Sequence, residues 1–142
     1  MKKWKRILTV LLCVLMMLAS TLPVYAADAR LNHGVSASVG YNIGSTGYSE
    51  LSIDYTANFT SFTNITIESY IQKRSLGFIW TKVDNGEPNK TWVDTSTETD
   101  GYFVHGLQLD SKGTYRAVFT ITFSGTGAAD DVIEDKIEAV YE

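Results

Sequence analysis

Cysteine is nearly absent from the chain. The one cysteine of the 142 residues, Cys13, sits inside an apolar run near the N-terminus. No disulfide framework is available, so packing alone must hold whatever fold forms. Proline is scarce: only Pro23 and Pro88 occur, which excludes a Pro-rich linker or a polyproline stalk. Histidine is limited to His33 and His105. No spacing of His, Cys, Asp or Glu brings several ligands together, so no metal and no cofactor is expected. No apolar run reaches the ~20 residues a membrane-spanning helix needs. The longest, Ile7 to Ala19, has 13 residues.

That run is flanked as an export signal is. "MKKWKR" supplies four positive charges before it, and "STLPVYA" follows with Val24 and Ala26 at the −3 and −1 positions of a cleavage site. Residues 1–26 are expected to be a signal peptide, leaving 27–142 as one domain of 116 residues that starts at Ala27. That length suffices for one core. Cleavage after Ala29 is the second choice. Cys13 does not stand at a cleavage site, which argues against a lipoprotein. A secreted, extracellular product follows, with cell-surface association as a variant. Four of the 12 Lys and Arg lie in the signal and none of the 16 Asp and Glu do, so the remainder carries a net charge of −8. Such a domain is repelled by nucleic acid and anionic surfaces. Nucleic-acid partners and stable membrane insertion are not expected. An unidentified protein or a neutral glycan fits better.

After the signal, period-two alternation recurs. "VSASVGYNI" places Val35, Ala37, Val39, Tyr41 and Ile43 on one face. "LSIDYTANF" does so with Leu51, Ile53, Tyr55, Ala57 and Phe59. In "NITIESYIQK", Ile65, Ile67 and Ile71 share a face, with Ser69 as a small gap; "RSLG" then turns the chain into "FIWTKV" as a hairpin partner. "DNGEPNK" is the richest loop signal, "TWV" a short edge strand, and Asp94 to Asp100 loop. "GYFVHGLQL" and "GTYRAVFTITF" are further strands. The last segment, Val132–Tyr141, fits a helix with Ile133, Ile137 and Tyr141 in step, or a strand with strict alternation; the strand is preferred because it ends a run of hairpins. The expected fold is all-β: one antiparallel β-sandwich of about seven strands.

"LQLDSKGTYRAVFTITF", Leu107 to Phe123, has the order of a tyrosine corner. Leu109 would end one strand in the core, Gly113 would allow the bend, and Tyr115 would start the next strand with its hydroxyl bonded to backbone upstream. Tyr115, Ala117, Phe119, Ile121 and Phe123 would then face in. This corner is similar to that of immunoglobulin and fibronectin type III domains. The wider layout resembles a group of small secreted proteins of Gram-positive bacteria: the signal, "I-x-I-x-x-x-I-Q", the tryptophan hairpin "GFIWTKV", "GTYRA" and a Gly-rich last turn. The resemblance implies a sandwich and no particular function. It departs from the immunoglobulin pattern where Ile53 and Ala117 stand for the two cysteines, and Ile67 for the core tryptophan.

Chemistry-bearing constellations are few. His105 lies beside Gly106, which can mark a β-bulge and leaves the facing of His105 open. "DDVIEDKIE" lacks the glycine-punctuated calcium loop and reads as edge-protecting charge. "NFT", "NIT" and "NKT" match a glycosylation acceptor but are frequent in Asn/Thr-rich strands. No catalytic residue is assigned. Aromatics carry the binding expectation: Trp92 beside the polar loop, with Tyr102 and Phe103 on the next strand, as stacking platforms or anchors. Trp80, flanked by Phe78 and Ile79, is expected in the core or its rim, with Leu109, Gly113 and Tyr115 as structural residues. The function this supports is a secreted, non-enzymatic binding module. A secreted antibacterial or pore-forming β-protein is the alternative, because Thr/Ser-rich alternation can line a pore; a small hydrolase is third.

Overall fold

A computed structural model describes residues 34–58 and 60–142. The expected signal peptide, His33 and Phe59 lie outside them. Eight strands form: β1 (Ser36–Ile43), β2 (Tyr48–Thr56), β3 (Phe62–Ser75), β4 (Ile79–Lys82), β5 (Trp92–Ser96), β6 (Asp100–Gln108), β7 (Gly113–Gly125) and β8 (Asp131–Tyr141). All pair antiparallel. One sheet has the order β1-β2-β6; the other has β4-β3-β7-β8, with β5 also on β3. The architecture is an immunoglobulin-like sandwich, one strand richer than expected. β5 extends the short "TWV" edge through Ser96 into the stretch read as loop. Val132–Tyr141 is strand throughout.

Alternation explains which face each strand buries. The first sheet sends Tyr41, Leu51, Ile53 and Tyr55 inward; the second sends Ile65, Ile67, Ile71, Ala117, Phe119, Ile121 and Phe123. Ile53 and Ala117, which stand where a disulfide would staple the sheets, are both completely buried. The ladder of β3 against β7 runs from Phe62↔Gly125 to Lys73↔Tyr115 and is matched in length by that of β7 against β8, from Gly113↔Tyr141 to Phe123↔Asp131. β3 has β7 along one edge. Its other edge is shared, with β5 paired to Ile65–Ser69 and β4 to Gln72–Ser75. Both residues after β3, Leu76 and Gly77, have positive φ (51° and 81°) and close the β3–β4 turn, where the Phe78 N–H donates to the Ser75 carbonyl.

The corner between β6 and β7 has the geometry the sequence order suggests. Leu109 is buried, and Gly113 sits at φ 143°, where a side chain would be strained. The Tyr115 ring is buried and its hydroxyl donates to the Ser111 carbonyl at 2.5 Å. One polar contact thus pins the crossing from one sheet to the other. Tyr115→Phe leaves that carbonyl short of its donor and should cost roughly 1–3 kcal/mol. Thr120→Val, on the outward face of β7, should cost much less. Urea melts of both variants check this; equal small losses would remove the corner as a stabilising element.

Candidate functional site

Trp92 is not on the surface. It opens β5 with its side chain inward, and is buried with its ring stacked on the His105 imidazole at 4.6 Å and 6° between planes. The physical reason is parity: Trp92, Asp94 and Ser96 alternate toward the core, and two polar members disguised the strand as loop. His105 faces inward from β6, and its Nε2 lies 2.6 Å from the Asp94 carboxylate. The imidazole therefore bridges the sheets at one open edge, between the indole and a carboxylate. Among the described residues Asp94 is its only hydrogen-bond partner. Gly106 makes no bulge. The β2–β6 register runs unbroken through Glu50↔Gly106, and the glycine makes room for the Tyr48 ring, which a Cβ would strike.

Trp80 also lies elsewhere than expected. It projects from the outer face of β4 and is half-buried there, with the Arg116 guanidinium 4.1 Å and the Arg74 guanidinium 5.7 Å from its ring. Arg116 donates to Gln72 at 2.7 Å and Arg74 to Thr114 at 2.9 Å, so both cations are aimed by neutral partners. Cation–π stacking of this kind contributes about 0.5–1 kcal/mol at an open site. Tyr102 and Phe103 point to opposite faces. Tyr102 is exposed beside Val104 on the outside of the first sheet, while Phe103 turns inward and stacks on Tyr55 at 6.0 Å. Trp92, Tyr102 and Phe103 do not converge.

What the structure does assemble is a groove of about 500 Å³ on the outer face of the second sheet. Its walls include Glu68 and Tyr70 of β3, Thr120 of β7, Val93 of β5, and Glu87 with Asn89 of the loop above. The loop is shaped by its own side chains. Asp84 and Asn85 accept from the N–H groups of Gly86 and Glu87, and a single 3₁₀ turn, Pro88–Lys90, carries Asn89 at φ 55°. Lys82 ties loop to sheet. Its ammonium sits 3.9 Å from the Tyr70 ring centre and donates to Thr91 Oγ1 at 2.8 Å and to the Asn89 carbonyl at 3.4 Å. Glu68 and Glu87 have no ion-pair or hydrogen-bond partner for their carboxylates among the described residues. The sequence held one signal for this site: Tyr70 is an aromatic on the polar face of β3.

No protein-family model matches the chain, and no curated protein does. Among solved structures it is similar to the CARDB domain of the PF1109 protein from Pyrococcus furiosus, solved in complex with di-metal ions. Identity is 14%, covering 79% of this chain and 96% of that one, with a TM-score of 0.43. Among the described residues of this chain, no group of three or more His, Cys, Asp or Glu stands close enough to hold a metal ion.

The reversed tryptophans give a direct check. Trp92→Ala opens a core cavity and should cost about 3–5 kcal/mol. Trp80→Ala removes an outer-face stack and should cost about 1 kcal/mol. Urea melts read the costs. Iodide should quench Trp80 and spare Trp92; the opposite order would place the indoles the other way round.

Proposed function

We propose that this chain is a secreted, non-enzymatic binding module that takes a neutral, hydroxyl-rich ligand, an oligosaccharide, in the groove above Tyr70. Export rests on the order of charges, apolar run and "VYA" in the first 26 residues. One observation carries the ligand class. The groove's ammonium, Lys82, is already committed to Tyr70, Thr91 and Asn89, while Glu68 and Glu87 line it with unpartnered carboxylates. Such a site offers acceptors and disfavours anions. Sugar hydroxyls donate to carboxylates in charge-assisted bonds, stronger than neutral ones. The volume falls within the ~300–1,000 Å³ usual for ligand pockets.

A glycan array with the intact chain tests the reading. Neutral oligosaccharides should bind, sialylated or sulfated ones should not, and no bound glycan should be cleaved. Glu68→Gln with Glu87→Gln should weaken binding by about tenfold or more, the equivalent of one lost charge-assisted hydrogen bond. Binding unchanged by both substitutions would displace the site, and release of reducing sugar would replace the module with an enzyme.

A further inference from the structure

The β3–β4 hairpin stands apart from the rest of the molecule in charge. From Ser69 to Val83 the chain carries Lys73, Arg74 and Lys82 and no acidic residue, in a sequence with 16 acidic residues. The hairpin's tip is apolar and open: Leu76 is 81% exposed and Phe78 75%. Ile79 is also exposed, and Trp80 is half-buried just behind it. Leu76 holds a positive φ of 51°, a backbone position that glycine or asparagine would occupy with less strain. Neither packing nor turn geometry accounts for an exposed leucine there.

Four cations gather at this end. Lys73 and Arg74 lie within the hairpin, Arg116 stacks on Trp80, and Lys112 is exposed in the β6–β7 corner, which Lys73 reaches through Ser111. None of the four has a carboxylate partner among the described residues. Acidic groups at the same end are Asp110, Glu138 and Glu142. Glu138 stands opposite Arg116 in the β7–β8 register, and Asp110 is two residues from Lys112, so those two cations have acidic neighbours. Lys73 and Arg74 belong to a hairpin with no acidic residue of its own. β8 is three strand spacings from β4, about 14 Å, beyond the Debye length of ~8 Å in physiological salt. The β4 side of the hairpin can therefore meet an anionic surface while the acidic β8 edge stays largely screened from it.

We propose that the β3–β4 hairpin docks the domain on an anionic lipid bilayer. Leu76 and Phe78 enter the headgroup layer, Trp80 sits at its level, and Lys73, Arg74, Arg116 and Lys112 meet lipid phosphates. An apolar tip ringed by cations and backed by tryptophan combines the elements of interfacial binding. Contact is peripheral, since the tip is a turn and not a spanning element. The inference does not depend on the groove's ligand.

Vesicle flotation tests it, with the full-length chain and vesicles of phosphatidylcholine alone or mixed with phosphatidylglycerol. The N-terminal apolar run is common to every form, so the hairpin's part is read by difference. The parent should prefer the phosphatidylglycerol vesicles and lose that preference as salt rises. Leu76→Ser with Phe78→Ser should reduce partitioning by about tenfold or more. Lys73→Gln with Arg74→Gln should reduce the preference between lipids, the fall from the parent being the hairpin's share. Leu76→Asn suits the backbone and should weaken binding without loss of stability. On binding, tryptophan emission should shift to the blue by more in the parent than in Trp80→Phe, the difference reading Trp80 apart from Trp4 of the N-terminal segment. Hairpin variants that float as the parent does would overturn the proposal, as would a parent emission unchanged by vesicles. Loss of self-association in the hairpin variants, with no lipid binding by the parent, would assign the tip to a second copy of the chain instead.

Discussion

The antiparallel pairing of β3 with β7 is the constraint on which the rest of the molecule depends. It lies at the centre of the second sheet, and its inward residues supply most of that sheet's share of the core. The other strands of that sheet are hung from it, β8 on β7 and both β4 and β5 on β3. No disulfide ties the two sheets, so their attachment rests on interdigitated Ile, Phe and Tyr side chains and on the Tyr115 contact at the corner.

Both proposed surfaces are products of that pairing. Because β3 outruns β5, its last residues are free to form a hairpin with β4, and that hairpin carries the apolar, basic tip. Because β5 and β4 share one edge of β3, the chain between them must cross the sheet's outer face, and Glu87 to Asn89 arch over Tyr70. The interior edge contact has the same origin. β5 lies opposite β6, so Trp92 and Asp94 meet His105 and close the sandwich where a longer sheet would have continued.

The alternation of Ile53, Ile65, Ile67 and Tyr115 to Phe123 was legible in the sequence because apolar residues recur at every second position with mostly polar ones between them, Val118 excepted. The corner was legible because Leu109, Gly113 and Tyr115 each answer a distinct backbone need. Trp92 was not, because burial there depends on pairing with β3, far along the chain, and because Asp94 and Ser96 occupy inward positions at an edge where water remains near. Trp80 misled for the converse reason: apolar neighbours suggested a core, yet the residues that shelter it are arginines from β3 and β7. Ser69 shows the same dependence. It is fully buried and flanked in register by Trp92 and Phe119, a small residue between two aromatic cross-strand neighbours. The groove escaped notice because Glu68, Tyr70, Glu87 and Thr120 come from three separate segments.

Native-state amide hydrogen exchange tests the central claim most directly, since it ranks strands by the free energy of opening them. If the β3–β7 pairing carries the fold, the slowest amides will lie in Ile65–Ile71 and Ala117–Phe123 and will exchange only on global unfolding. Those of β4, β5 and β1 will open earlier. Slowest exchange in β1, β2 and β6, with β3 and β7 opening first, would contradict it.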